Sequence, residues 1–191
     1  MDPEGGVVAQ PRGRDVAGFK AMAGKVNEYL TLKAIESPTT ANKVDLLIVE
    51  LEFGNVALAD AKARLGALAG DMSDEQQAKA EAGLKRLEQG EVDKLIMQTL
   101  QEKKPQSQEA AAEVGKVFYE MYQEGKTPSS PQTAQYFWPM IMEHGYAAKS
   151  VEIFKVGLGE LKKAFGDNPR AAQFFQQQEA RLKELESAGS K

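Results

Sequence analysis

Residues 107–125, SQEAAAEVGKVFYEMYQEG, carry the pattern that decides the fold of this chain. Apolar side chains recur there every three or four residues, which places them on one face of an α-helix. Ser107 is a favoured N-cap residue, and Gly125 suits the left-handed position that ends a helix. The stretch therefore predicts one amphipathic helix with a buried face. That face consists of Val114, Val117, Phe118, Met121 and Tyr122.

Glycines that are expected to end helices recur along the chain. Gly54, Gly90 and Gly125 are separated by 36 and 35 residues, and each follows a strongly helical segment. The spacing predicts an all-α protein of seven to nine helices, arranged as antiparallel hairpins that stack in sequence like an α-solenoid. A short extended segment, Val7 to Ala9, precedes the helices. A closed, irregular helical bundle is the alternative architecture.

The other helices are predicted from the same apolar spacing and from capping residues. Asp15 is placed to cap the first helix, and Ser73 with Gln76 forms a capping-box pair. Pro139 is expected either to kink a helix or to begin one, and Gly145 to break one. The predicted segments are 15–35, 38–53, a short helix to about 70, 73–90, 92–104, 107–124, 146–165 and 169–186, with a loop at 126–131.

Composition excludes several classes of function. The formal net charge is −4 and the basic residues are scattered, so nucleic acid is not expected as a partner. No apolar run approaches the ~20 residues that span a bilayer, so membrane insertion is not expected either. The chain has no cysteine, which excludes disulfides, thiolate zinc sites and cysteine nucleophiles.

No residue pattern indicates catalysis, a metal site or a cofactor. His144 is the only histidine, and neither a nucleophile nor a ligand spacing accompanies it. Its position before Gly145 places it at a helix C-terminus, where a cation is favoured. The run Gly125-Lys126-Thr127 has Glu120 where a phosphate-binding loop needs glycine, and it follows a helix where that motif needs a strand. We therefore expect no enzymatic activity.

Aromatic residues are concentrated in the C-terminal half. Of 14 in the chain, 11 lie between Phe118 and Phe175, so we expect the larger core and any aromatic groove there. Four phenylalanines on apolar stripes are expected in that core: Phe118, Phe154, Phe165 and Phe174. Four residues near loops or stripe edges are candidate partner-binding residues, since Tyr and Trp are favoured at interfaces: Tyr119, Tyr136, Trp138 and Tyr146.

Two segments resemble tetratricopeptide-type repeats. Leu47 to Leu65 reads as a helix, Gly54 and a second helix with the small residue Ala59, and Asn168-Pro169 resembles punctuation between repeats. Gly145 to Leu158 is similar to the second helix of such a repeat. The hallmark Trp-Leu-Gly-Tyr set is absent, and the predicted helix 146–165 is too long. The resemblance implies helix hairpins that bind other proteins.

The first 33 residues resemble the end of a thioredoxin-fold domain. Asp2-Pro3-Glu4-Gly5, Val7-Val8-Ala9 and Gly13, followed by a helix with Phe19, are similar to the closing hairpin and last helix of that family. The resemblance implies that 1–35 is a remnant of such a domain, that 36–191 is a helical-repeat-like domain, and that the protein is exported, for example to the periplasm. The redox Cys-x-x-Cys of the family is missing from this chain.

Three functional hypotheses follow. The first is a non-catalytic scaffold or interaction module that binds a protein or peptide through its C-terminal aromatic half. The second is an accessory helical tail of a thioredoxin-like oxidoreductase whose active site lies outside this chain. The third is a homo-oligomerisation domain, with exposed aromatic residues forming a homodimer interface.

Overall fold

The computed structural model describes residues 16–188, and side chains from residue 19 onward. All regular secondary structure in that part of the chain is helical, which confirms the all-α prediction. The predicted strand Val7 to Ala9, the cap Asp15 and most of the thioredoxin-like segment lie outside the described residues. The helices are α1 (Val16–Lys33), α2 (Thr40–Phe53), α3 (Leu58–Leu68), α4 (Asp74–Lys103), α5 (Gln108–Gln123), α6 (Pro131–Ala147), α7 (Val151–Phe165) and α8 (Ala172–Ala188), with 3-10 turns at Ala69–Asp71 and Pro169–Ala171.

Several helix ends follow the capping signals in the sequence. Ser107 accepts a hydrogen bond from the backbone N–H of Ala110, and Asn168 caps the turn that leads into α8. Ser73 and Gln76 exchange the two hydrogen bonds of a capping box, at 3.0 and 3.3 Å. Gly54 and Gly125 adopt positive φ angles of 72° and 77°, so both end helices as predicted.

Two glycines that were expected to interrupt helices do not. Gly90 lies inside the continuous 30-residue α4, which ends instead at Lys104 with a φ of 43° before Pro105. A single interior glycine costs about 1 kcal/mol relative to alanine, which a long helix tolerates. Gly145 lies inside α6, where its missing side chain lets the helix touch the backbone of Phe154. The predictions of helix ends at Gly90 and Gly145 are therefore wrong.

The α6–α7 boundary also differs from the expectation. α6 begins at Pro131 behind the N-cap Ser130, so Pro139 neither begins nor ends it. The predicted helix 146–165 starts too early, because the chain turns after Ala147 and Lys149 has a φ of 53°. Ser150 then caps α7, which has 15 residues.

The chain divides into two compact units, one ending at Glu88 and one beginning at Gln89. In the N-terminal unit, the largest group of buried apolar residues is aliphatic and comes from α2, α3, the loop between them and the first half of α4. Its members are Val44, Leu47, Ile48, Leu51, Val56, Ala61 and Ala80. Phe19 of α1 is 48% exposed.

The core of the C-terminal unit is aromatic. Phe118 stacks on Phe137 with ring centroids 4.8 Å apart, and Phe154 is fully buried beside them. Phe165 is partly buried against this core. Phe174 was expected to point inward, but its side chain is 36% exposed, so that prediction is wrong. Its neighbour Phe175 occupies the core position.

Close helix contacts in the C-terminal unit pass through glycines. A Cβ at Gly115 of α5 would overlap the backbone of Met140 in α6. On the other side of α6, a Cβ at Gly157 of α7 would lie 2.8 Å from the carbonyl oxygen of Trp138. Gly157 therefore permits the close approach of α6 and α7. Gly159 of the same helix has no atom within 4 Å of its Cβ position.

Candidate functional site: an aromatic surface on two parallel helices

A two-pronged ion pair links α6 to α8. Arg181 donates from Nη1 to Oε1 of Glu143 at 2.6 Å and from Nη2 to Oε2 at 2.9 Å, across 38 residues of chain. The hydroxyl of Tyr146 lies 3.4 Å from Oε2 of Glu184, also 38 residues away. Two links with the same separation mean that α6 and α8 run parallel in this register.

Arg181 is held on several sides. Its guanidinium carbon lies 4.1 Å from the ring centroid of Tyr146 and 5.7 Å from that of Phe154, in cation–π geometry. Nη1 also donates to Gln178 at 3.1 Å. Hydrogen bonding to the Glu143 carboxylate raises the pKa of Arg181 although partial burial opposes this, so the side chain stays a cation. We call Glu143, Tyr146 and Arg181 the clamp.

Two exposed aromatic side chains lie on the same two helices, on the N-terminal side of the clamp. Tyr136 of α6 and Phe174 of α8 are also 38 residues apart, and they are 41% and 36% exposed. Tyr136 precedes Glu143 by seven residues, and Phe174 precedes Arg181 by seven. Seven residues make about two turns of an α-helix, so each ring lies on nearly the same side of its helix as the clamp residue. Tyr136 and Phe174 therefore lie at one level, about two turns from the clamp and on the sides of α6 and α8 that carry it.

We call Tyr136, Phe174 and the exposed glutamines near them, Gln132, Gln135 and Gln177, the α6–α8 surface. The ring of Phe174 meets that of buried Phe175 edge-on, with the ring centroids 5.7 Å apart. Tyr136 precedes the buried Phe137 in α6. Each exposed ring thus belongs to a residue whose sequence neighbour is fixed in the core.

The α6–α8 surface lacks formal charge. Residues 127–142 and 171–178 contain no Asp, Glu, Lys, Arg or His, although 27% of the chain is Asp, Glu, Lys or Arg. The flanking charges are Arg170 at one end of the α8 stretch and Glu179 at the other, and Glu179 is paired with Lys162. The surface therefore offers aromatic rings and neutral amide groups, with the exposed cation of Arg170 four residues before Phe174.

Trp138, a predicted partner-binding residue, is only 5% exposed and belongs to the core. Its ring meets those of Phe137 and Tyr122 edge-on, at 4.8 and 5.8 Å. With Tyr122, Pro128, Glu160 and other residues, it lines an open cavity of about 450 Å³ beside the loop at 126–131. Its binding role stays a prediction, and the structure adds a structural role.

Asp93 of α4 holds that loop in place. Its Oδ1 accepts from the backbone N–H of Ser129 at 3.0 Å and from the hydroxyl of Thr133 at 2.6 Å, and its Oδ2 accepts from the hydroxyl of Ser129 at 2.7 Å. Burial by itself raises the pKa of Asp93, but these donors together hold it below the usual range. The carboxylate thus orders the wall of the cavity.

The four predicted binding residues do not form one site. Tyr136 lies on the α6–α8 surface, Tyr146 in the clamp and Trp138 in the core. Tyr119 is half-buried on α5, where its ring is 6.1 Å from that of Tyr122 and 6.2 Å from that of His144. Among them, Tyr136 is the exposed residue, at 41%, whereas Tyr119 and Tyr146 are half-buried.

Phe174 was missed because it adjoins Phe175. Neighbouring helix residues point about 100° apart, so two consecutive phenylalanines cannot both face one core. The apolar series at residues 171, 175, 182 and 185 contains Phe175 and not Phe174. This series was available in the sequence and would have identified Phe174 as the outward ring.

Titratable chemistry gives no further site within the described residues. His144 lies in the last turn of α6, as predicted, where burial and then the nearby Lys116 lower its pKa. Residues 16–188 contain no group of three or more His, Asp or Glu side chains placed to hold a metal ion. None of the described helices is long and apolar enough to cross a membrane.

A cavity in the N-terminal unit has a different chemistry. It has a volume of about 460 Å³ and lies between α1, α2 and the start of α4. Lys25 pairs with Glu52 across it, and Lys79 pairs with Glu75 at 2.7 Å. Mutually paired surface charges of this kind are common and do not indicate a ligand.

Comparison with known proteins found no matching family model, no similar curated protein and no similar solved structure.

Proposed function

We propose that this chain is a non-catalytic interaction module whose C-terminal unit binds a segment of another protein at the α6–α8 surface. The observation that carries the proposal is the placement of Tyr136 and Phe174. They are 41% and 36% exposed, lie at equivalent positions on two parallel helices, and each precedes a clamp residue by seven residues.

Physical reasoning supports this use of the two rings. Tyr and Phe contribute large apolar contact areas with few rotatable bonds, so they are frequent anchors in interfaces. Antiparallel helix hairpins expose helix faces on which such anchors are fixed. The tetratricopeptide resemblance implies the same kind of function and stays a prediction.

The proposal can be tested with a phage-displayed library of random 12-residue peptides. The library is selected on the immobilised full-length chain and counter-selected on the double variant Tyr136→Ala/Phe174→Ala. We expect enriched peptides whose affinity falls about 30-fold or more in the double variant, the loss typical of removing interface hot spots. A failure to enrich any peptide would contradict the proposed function.

Two controls make the result specific. The matched variant Phe19→Ala/Leu95→Ala removes two other exposed apolar side chains, which are 48% and 43% exposed, and should leave binding unchanged. Trp138 is the only tryptophan and is buried, so its fluorescence reports whether the C-terminal unit of each variant is folded. Equal binding by the wild type and Tyr136→Ala/Phe174→Ala would move the site away from the α6–α8 surface.

A further inference from the structure

Helix α8 differs from the other helices of the C-terminal unit in how it is held. We infer that α8 is a strap that opens and closes as a separate element, while α5, α6 and α7 stay folded together. Three features of α8 carry the inference: how little of it is buried, how it is linked to α6 and α7, and how it is joined to the chain.

Few side chains of α8 are buried. α6 and α8 both have 17 residues, but seven residues of α6 are buried and three of α8. The three are Phe175, Gln178 and Leu185, and Leu182 is partly buried against the same core. α8 also contains no glycine, whereas glycines of α5, α6 and α7 let those helices approach each other closely. Opening α8 therefore exposes less apolar surface than opening α6 would, and costs less.

Polar links hold the rest of α8. Glu179 pairs with Lys162 of α7, and Glu186 pairs with Lys155. Seven residues forward along α8 thus correspond to seven residues back along α7, so these two helices run antiparallel. All four side chains are at least 41% exposed, and ion pairs of this kind contribute little to stability. The ion pair of the clamp is more enclosed, at 21% and 23% exposure, so closure of the strap depends chiefly on Arg181 among its polar residues.

The segment between α7 and α8 provides the hinge of the strap. α7 ends at Phe165 and α8 begins at Ala172, and residues 166–170 between them are all exposed. A change of backbone angles there would release α8 without breaking the packing of α5, α6 and α7. Most helical stability in proteins comes from packing, so a released α8 would also lose its helical hydrogen bonds. Amide hydrogen exchange therefore reports the opening.

Opening of the strap would take the α6–α8 surface apart. Phe174 lies on α8 and Tyr136 on α6, so the two rings keep their relative position only while α8 is closed. The strap would thus control binding at this surface. That consequence rests on the proposed function, whereas the opening of α8 itself does not.

Hydrogen exchange of the full-length chain, followed amide by amide by NMR, tests the inference without any ligand. We expect residues 177–183 of α8 to be protected at least about 10-fold less than residues 112–121 of α5, because α8 opens locally. Arg181→Ala should lower the protection of α8 by about a further 10-fold or more. The control Lys155→Ala should lower it less than about fivefold, since its ion pair is exposed. Unchanged protection of α8 in Arg181→Ala would overturn the inference that the clamp closes the strap.

Val114→Ala separates local opening of α8 from unfolding of the whole unit. Val114 lies in α5 and is 1% exposed, so its truncation should lower the protection of α5 about 10-fold or more. The protection of α8 should not change, because Val114 stays packed when α8 alone is open. Equal protection of α5 and α8 in the wild type, or a parallel loss in both helices of Val114→Ala, would overturn the inference. Either result would leave the proposed function standing, because no peptide takes part in the experiment.

Discussion

The two units of this chain are filled by different side chains. The largest buried cluster of the N-terminal unit is made of valine, leucine, isoleucine and alanine. The C-terminal unit buries Phe118, Phe137, Trp138 and Phe154. Large rigid rings fill a core with few rotatable bonds, so we expect the C-terminal unit to have the better-defined packing.

The glycines of the two units also differ in how often they make close contact with a neighbouring helix. In the N-terminal unit, a Cβ at Gly83 would lie 2.7 Å from the Cβ of Leu51, an atom fixed to the backbone. In the C-terminal unit, a Cβ at Gly115, Gly145 or Gly157 would meet backbone atoms of a neighbouring helix. Close helix approach thus occurs at three glycines of the C-terminal unit, joining α5 to α6 and α6 to α7, and at one described glycine of the N-terminal unit. We therefore expect α5, α6 and α7 to resist relative movement, and α6 carries one half of the α6–α8 surface.

The largest expected effect is that of Gly115→Ala. Its Cβ would overlap the carbonyl oxygen of Met140, so α5 and α6 would have to separate. We expect the free energy of unfolding of the C-terminal unit to fall by about 3 kcal/mol or more, the upper end for overpacking. Urea unfolding followed by Trp138 fluorescence measures this change.

Gly90→Ala is the matched control, since Gly90 is also helical but has no atom within 4 Å of its Cβ position. Alanine there should stabilise α4 by about 0.5–1 kcal/mol through helix propensity. Equal destabilisation by the two substitutions would refute the view that close backbone contact distinguishes the C-terminal unit.

The next largest effect is expected from Arg181→Ala. This substitution removes both hydrogen bonds to Glu143 and the stacking on Tyr146, and it leaves a half-buried carboxylate without its cation. We expect a loss of about 1.5–3 kcal/mol in the same urea assay. Arg181→Lys should recover only part of it, because an ammonium cannot form the two-pronged pair.

Lys155→Ala provides the control for Arg181. Lys155 also links α8 to its neighbour, but its ion pair with Glu186 is exposed, with side-chain exposures of 54% and 43%. Exposed ion pairs contribute little, so we expect almost no change in stability. A loss as large as that of Arg181→Ala would show that any link to α8 suffices and that the clamp has no special role.

A smaller effect is expected from Asp93→Asn, and it depends on pH. The pKa of Asp93 is lowered in the folded chain. The stability that its carboxylate contributes is therefore fully present above the unfolded-state pKa of about 3.9 and is lost as the pH falls through the folded-state pKa. At pH 7 the variant should lose about 1–2 kcal/mol. Between pH 5 and 3 the variant should then lose less stability than the wild type; parallel losses would contradict this role of Asp93.

Local signals in the sequence predicted most of the fold. Ser73, Ser107, Gly54 and Gly125 act through hydrogen bonds or backbone angles that involve only neighbouring residues, so the sequence was sufficient to place them. Gly145 continues a helix with the backbone of Phe154 packed against it, and that tertiary contact is not contained in the local sequence pattern. Gly90 has no atom within 4 Å of its Cβ position, and α4 continues through it because a single interior glycine costs little in a 30-residue helix.

The candidate site was predicted only in part. Tyr136 was identified from its position at the edge of an apolar stripe. Trp138 was identified in the same way, but it is 5% exposed, and the rings of Phe137 and Tyr122 meet its ring edge-on. Recognising the α6–α8 surface required the register between two helices, which depends on the contact between Glu143 and Arg181 across 38 residues.

Site-specific photo-crosslinking tests the central claim most directly. Tyr136 is replaced by p-benzoylphenylalanine, and the chain is irradiated with a library-selected peptide; the matched control carries the probe at Phe19, which is similarly exposed. The account predicts an adduct from position 136 that unlabelled peptide suppresses, and none from position 19. Equal adducts from both positions, or none from position 136 with a peptide that binds the chain, would contradict binding at the α6–α8 surface.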